Sequence, residues 1–388
     1  KASGDWSQYV TAPIARFQAK YPKTLLKGMN IVAAGNIPMA AGLSSSSAVV
    51  VAVAEAIAYI NDIDITPEQF VELCGEGEWY VGTRGGSADH AAMKFAKIGK
   101  IIHVGFHPFH LVDEVPFPSD YVFLVCNSHF KAHKSGGARD KFNHRIACYY
   151  IARDLFKEEY PQYSDQIEHV RDISTRNLGV SYPQLLEMLL KIPAVATRDY
   201  LLSRLSNEQI KKYLGTHADS FMEYQLRAVL MFGLAECERS RICPELLRDN
   251  KIVDFGRLMK CSHDGDRVTR WSDNHFTNCI SDYSDDAIYK LITSINEGND
   301  GELIYQPGAY SCSIPEIDHM VDIALKEDYV LGAQMLGAGL GGCMAVLVRK
   351  DKADNVIERL TREYYEPSNL IPEVFVCKPV AGSRVMRF

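Results

Sequence analysis

The sequence predicts an α+β fold of two lobes with a cleft between them, and three observations carry that prediction. Short apolar runs of strand character alternate with helices through the first 180 residues. A predominantly helical stretch follows at 182–248, and strand, helix and glycine turn return in the last third. At 388 residues, 47% of them hydrophobic, the chain is long enough for two domains or one large two-lobed one. We divide it into a lobe at 1–180 and a lobe at 181–388. A stretch at about 268–308, rich in Asp, Ser, Asn and Gly, reads as a surface insertion in the second lobe.

Taken in order, Trp6 to Lys20 has helical periodicity, and Tyr21-Pro22 leads from it to an apolar strand, Ile31 to Ala34. The run Pro38-Met39-Ala40-Ala41-Gly42-Leu43-Ser44-Ser45-Ser46-Ser47-Ala48 joins that strand to an Ala/Val/Ile helix, Ser47 to Ile60, whose only charge is Glu55. Read alone, such a run is a linker or a serine-capped turn. Here both flanks belong in a core, which a flexible linker's flanks do not. Small residues let backbone approach an anion, and the first helical amides have no intrahelical partner, so Gly42 to Ser46 reads as a phosphate cradle. No G-x-x-x-x-G-K-[ST] occurs and no lysine follows the serines. Phosphate held here must be neutralised by backbone dipoles and a metal, with serine hydroxyls as available ligands.

A helix from Pro67 to about Tyr80 starts behind Thr66 as N-cap, with Glu68 in its first turn. The second glycine loop, Gly82-Thr83-Arg84-Gly85-Gly86-Ser87-Ala88-Asp89-His90, follows. Asp89 either caps the segment beginning at His90 or stands exposed in a cleft, where a carboxylate orients a substrate hydroxyl or takes its proton. Glu78, eleven residues earlier, reads on its own as a solvated helix position. A loop folding back brings it beside the serines to share Mg²⁺. Strands are expected at Lys100 to Phe106 and Tyr121 to Asn127, and helices at Asp140 to Glu159, Ser220 to Arg239, Phe255 to Ser262 and Asp285 to Ile295. The last third reads as helix Ile314 to Lys326, strand Gly332 to Leu336, strand Cys343 to Arg349, helix Lys352 to Tyr364 and strand Val374 to Lys378. Between the first two of these strands, Leu336-Gly337-Ala338-Gly339-Leu340-Gly341-Gly342-Cys343 is a hairpin turn or a ligand-approaching one.

A net charge of −7 and a pI near 6.0 give no general attraction to nucleic acid or anionic lipid. No uninterrupted apolar span and no signal-peptide pattern is present, so the expectation is a cytoplasmic protein that neither binds nucleic acid nor enters a membrane. The ten cysteines are scattered singly without a C-x-x-C pair, which reads as reduced core thiols.

These motifs, in their order and spacing, resemble the GHMP small-molecule kinases, and within them the galactokinase and N-acetylgalactosamine kinase branch. Pro38 to Ala48, Gly85 to Asp89 and Gly337 to Cys343 look like the family's second motif, catalytic-aspartate loop and third motif. Asp5 to Val10, Phe142-Asn143-His144-Arg145, Gly256 to Met259 with Ser262-His263, Pro315-Glu316-Ile317-Asp318 and Lys378-Pro379 extend the resemblance along most of the chain.

The resemblance implies a two-lobed fold with mixed sheets and an ATP- and Mg²⁺-dependent kinase that phosphorylates the anomeric hydroxyl of galactose or a related sugar. It implies nucleotide phosphates on Gly42, Leu43, Ser44, Ser45 and Ser46 with Gly337 and Gly339. It also implies Mg²⁺ on Ser46 and Glu78, catalysis by Asp89, and sugar contacts from Gly86, Asp89 and Phe142. A catalytically silent sugar and ATP sensor acting through a protein partner is the alternative of another class. Phe142 stands where galactokinases carry a tyrosine that touches the sugar, as in the N-acetylgalactosamine kinase pattern. The family's first motif has no match in this sequence, which implies that it resides on a further segment or a separate piece. The insertion at 268–308 has no counterpart in the typical galactokinase.

Overall fold

The helical periodicity of the first hundred residues becomes a packed cluster. The computed structural model describes residues 6–38, 41–79, 86–130, 137–205, 208–272, 275–299 and 301–387. In it α1 (Gln8–Lys20) lies against α2 (Ser45–Ile60) and α3 (Pro67–Trp79), and α4 (Ala88–Phe95) packs on α2 and α3. Burial of the apolar face of α2 drives this packing: Val50, Val53, Ala54 and Ile57 are buried together with Phe17, Phe70, Leu73 and Cys74. Glu55 accepts hydrogen bonds from Lys94 Nζ of α4 and from Ser383 Oγ, both at 2.6 Å. The one charge of α2 is thus paired, and the pair ties α4 to α2. Thr66 accepts the Gln69 amide at 3.2 Å and caps α3 as its sequence suggests.

The larger layer is built around a four-stranded sheet. Its order is Val374–Cys377, then β3 (Tyr121–Asn127), then Cys343–Arg349, then Val330–Met335. The central position of β3 means that both halves of the chain contribute to one sheet. Along β3, Val122, Leu124 and Cys126 face the main core with α5 (Gly137–Glu159) and the helix Pro315–Ala324. Phe123 faces the opposite side with Phe117, Leu347 and Met259. The helix Ile252–Asp266 covers that side at close range, because a Cβ on Gly256 would sit 2.4 Å from the Leu331 carbonyl oxygen.

Several expectations change. Every strand pairing among the described residues is antiparallel. The apolar run Ile31 to Ala34 is not a strand: no described strand pairs with it, and Val32 is 99% exposed. Without a ladder partner its backbone gains nothing from extension. A strand that the sequence reading passed over, β2 (His110–Pro116), pairs with β1 (Lys100–Gly105). The helix expected from Ser220 begins only at Leu226, because Glu223 and Tyr224 pair with Thr197 and Ala196 first, and it continues to Arg248. The stretch 268–308 carries the helix expected there. It forms a hairpin of Thr269–Ser272 with His275–Asn278 and a helix, Asp285–Asn296, whose Ile288 and Ile292 enter the main core.

Candidate active site

The site grows from the first turn of α2. Gly42 at φ 74° and Ser44 at φ 54°, ψ 39° swing the chain into the helix. A serine in the left-handed region costs about 1 kcal/mol or more, a strain that recurs at ligand sites. Ser44 is the N-cap residue, yet its side chain does not cap the helix. The first intrahelical bond runs from the Ala48 amide to the Ser44 carbonyl at 3.0 Å, leaving the amides of Ser45, Ser46 and Ser47 at the positive end of the helix. Leu43, Ser45 and Ser46 are half-buried in this turn, and Gly42 is exposed.

The Ser44 hydroxyl instead donates to Asp89 Oδ2 at 2.5 Å. Asp89 lies in the first turn of α4, where a helix dipole favours a carboxylate, and it is exposed. It is not the cap, since the N-cap residue of α4 is Ser87. Gly86, also exposed, stands just before it, and a Cβ there would meet nothing within 4 Å.

A second pair lies three residues further along α2. Ser47, buried, donates to Glu78 Oε1 at 2.7 Å, and His90 Nε2 lies 3.4 Å from the same oxygen. Glu78 sits at the C-terminal end of α3, where a helix dipole disfavours negative charge, and the Ser47 hydrogen bond offsets that unfavourable position. The hydroxyl that meets Glu78 here is that of Ser47, and Ser46, expected with Glu78 on Mg²⁺, stands one helical step away, about 100° round the axis. Ser44 and Ser47, spaced i and i+3, share a side of the helix start. The donor set suits Mg²⁺, which takes hard oxygens from one or two protein groups and completes its shell with phosphate and water. Among the described residues no three His, Cys, Asp or Glu side chains converge on a metal position.

The third glycine element meets the first. Gly337, Gly339, Gly341 and Gly342 all have positive φ, between 71° and 130°. A Cβ on Gly342 would lie 2.9 Å from the Ala41 carbonyl oxygen, and one on Gly337 would lie 3.5 Å from that of Gly42. Only bare backbone fits between the two turns. The Gly342 carbonyl accepts both the amide (3.0 Å) and the hydroxyl (2.7 Å) of buried Ser128, which follows directly on β3. The sheet thereby fixes the glycine turn, and the glycine turn abuts the cradle.

Phe142 is placed differently. It is half-buried in the first turns of α5, and none of the described contacts joins it to Asp89 or the serine turn. Its neighbours are braced: Asn143 donates to the Thr216 carbonyl at 2.8 Å, and the buried ring of His144 bonds the Glu223 carbonyl at 2.9 Å. Burial pulls the His144 imidazole down to about 4. Met39, Ala40 and the loop residues Gly82-Thr83-Arg84-Gly85 lie outside the described residues. The cavity of about 430 Å³ bordered by Ile14, Leu26, Met29 and Ile57 lies away from the site, near the C-terminal end of α2. All ten cysteines are free thiols, and burial raises Cys148 and Cys312 to about 12, which makes them inert.

The chain is similar to known proteins. The GHMP kinases N terminal domain matches residues 8–97, and the GHMP kinases C terminal domain matches residues 284–366. A galactokinase of Dictyostelium discoideum is 26% identical over 368 residues, covering 93% of this chain and 69% of that protein. A galactokinase of Schizosaccharomyces pombe is 27% identical over 409 residues, covering 95% of this chain and 74% of that protein. Among solved structures, Lactococcus lactis galactokinase complexed with galactose superposes with a TM-score of 0.64 at 20% identity, over 99% of this chain and 77% of that one. No helix among the described residues is long and apolar enough to cross a membrane. Matched at both of its family domains and sharing the fold of a solved relative, the chain belongs to the GHMP kinase family, in its galactokinase branch.

Proposed function

We propose that this chain is an ATP-dependent sugar-1-kinase, which transfers the γ-phosphoryl group of ATP to the anomeric hydroxyl of galactose or a related sugar. The observation that carries the reading is the contact between Ser44 and Asp89, which sets a carboxylate beside the uncapped start of a buried helix. The amides of Ser45 to Ser47 and the glycine backbone bind the phosphates, and Asp89 orients the acceptor hydroxyl. In the transfer the anomeric oxygen forms a bond to the γ-phosphorus, the bond from that phosphorus to the bridging oxygen breaks, ADP leaves, and the hydroxyl proton passes to Asp89. Glu78, with the hydroxyl of Ser46 or Ser47, would hold Mg²⁺, which when bound would supply positive charge to the phosphate oxygens. Phosphoryl transfer asks a protein mainly for position and charge, and this site is built from both.

Galactose is the first sugar to test because it is in the name of the relatives. The apolar Phe142 keeps N-acetylgalactosamine, arabinose and uronic acids on the panel. A cytoplasmic setting, where ATP is available and thiols stay reduced, fits the ten free cysteines. A coupled ADP-release assay over this panel tests the reading: one sugar must stimulate release. If none does, the kinase reading fails, and a sugar-dependent pull-down tests the silent sensor instead.

A further inference from the structure

Two stretches that carry part of the family resemblance, Ser262-His263 and Pro315 to Asp318, have no part in the chemistry above, and in the structure they meet. His263, in the last turn of the helix Ile252–Asp266, and Asp318, in the helix Pro315–Ala324, are 1% and 0% exposed. Their Nε2 and Oδ1 atoms lie 3.3 Å apart, an ion-pair distance, and neither atom makes a hydrogen bond among the described residues. Asp318 Oδ2 accepts the amides of Val268 (2.9 Å) and Thr269 (2.8 Å) and the Thr269 hydroxyl (3.2 Å), which fixes the carboxylate. On its other side His263 Nδ1 accepts the Met335 amide at 3.4 Å. Accepting there assigns the ring proton to Nε2, facing Asp318.

Met335 ends the strand that enters the glycine turn. The opposite shoulder of the turn is held from the same helix end, since the Leu340 amide donates to the Cys312 carbonyl at 2.7 Å and the Cys312 amide to Asp266 Oδ1 at 3.4 Å. An imidazole and two carboxylates are thus buried directly beneath a turn that itself needs only glycine. Apolar side chains of similar volume would serve stability as well or better, so burial of these groups points to a demand for position.

We infer that His263, oriented by Asp318, is a positioning residue for the glycine turn: by accepting the Met335 amide it sets the height of Gly337 to Gly342 against Gly42, and with it the grip on the nucleotide phosphates. This rests on the kinase reading. Two conservative variants separate the contacts of the ring. His263→Gln keeps a donor toward Asp318 and loses the acceptor for Met335, whereas His263→Asn keeps an acceptor where Nδ1 stands and loses the donor.

The test is the dissociation constant of a non-hydrolysable ATP analogue with Mg²⁺, alongside the KM of whichever panel sugar the wild type turns over. His263→Gln should bind the analogue about five- to tenfold more weakly, the worth of one hydrogen bond, and His263→Asn about as well as the wild type. Sugar KM should stay unchanged in both. Equal loss in the two variants, no loss in either, or a sugar KM that moves with nucleotide affinity would overturn the inference. Should His263→Gln not fold, Asp318→Asn must show a smaller but nucleotide-selective loss, and a proportional loss for sugar overturns the inference as well. A wild type that fails to bind the analogue removes the kinase reading itself; a wild type that binds it beside variants that bind equally well removes only this inference.

Discussion

The serine turn and the glycine turn face each other across a backbone contact, yet they are held by opposite means. The serine turn carries its own polar side chains: half-exposed Ser44 reaches Asp89, which stands open to solvent, and buried Ser47 reaches Glu78 behind it. The glycine turn has no such side chains and is pinned from beneath, by Ser128 from the sheet and by the buried cluster of His263, Asp266 and Asp318. One side is chemically equipped and cheap to alter; the other is chemically blank and costly to alter. The division suits phosphoryl transfer, in which one wall must react with the acceptor and the other must stay still.

Breaking the serine side should remove activity and spare stability. Asp89→Ala should lower sugar-dependent ADP release by roughly 10²- to 10⁴-fold while Tm stays unchanged, because its hydrogen bond is exposed. A variant with wild-type turnover would end the assignment of Asp89.

Under the glycine side, the contrast takes a pH-dependent form. Burial raises the Asp266 carboxyl to about 7, with Glu236 and Asp318 adding to the rise and Arg239 opposing it. The folded pKa lies above the unfolded one, so this contribution to stability is complete below pH 4 and is lost as pH rises through 7. The whole loss amounts to at most about 4 kcal/mol. Denaturant unfolding at pH 5 and pH 8 should show the fall in the wild type and a flatter response in Asp266→Asn. Parallel curves would show that Asp266 ionises without cost.

Two glycines sharpen the comparison further. Gly342→Ala puts a methyl group 2.9 Å from the Ala41 carbonyl at φ 96°, and should cost about 2–3 kcal/mol on urea unfolding. Gly86→Ala, next to the serine side, has open space and should be close to neutral in stability. If both cost the same, the two turns do not differ as described. The smallest effect is expected from Phe142→Tyr, which should move the kcat/KM ratio of galactose to N-acetylgalactosamine by a fewfold, about one hydrogen bond's worth. An unchanged ratio would take Phe142 out of the sugar site.

What could be read from the sequence divides along the same line. The cradle, Asp89 and the glycine turn were legible because local backbone chemistry, meaning uncapped amides, glycine and an acid in a first turn, is written in neighbouring residues. Which serine hydroxyl meets Glu78 was not legible, since the choice between adjacent serines depends on helix rotation against α3. The clamp of His263 on Met335 joins residues 72 apart in the chain and left no local trace. The same holds for the strand expected at Ile31 to Ala34: its composition suited a strand, but pairing is decided by what lies alongside. The helix beginning at Leu226 was displaced for a related reason, a two-residue ladder with Ala196 and Thr197 that no periodicity announces.

The central claim is that the serine turn and the glycine turn grip one triphosphate between them. Amide hydrogen exchange with and without a non-hydrolysable ATP analogue and Mg²⁺ tests it most directly. The account predicts added protection in peptides spanning 42–48 and 336–342 together, and none in the hairpin 269–278. Protection confined to one of the two turns, or appearing instead around the cavity at residues 26–31, would contradict it.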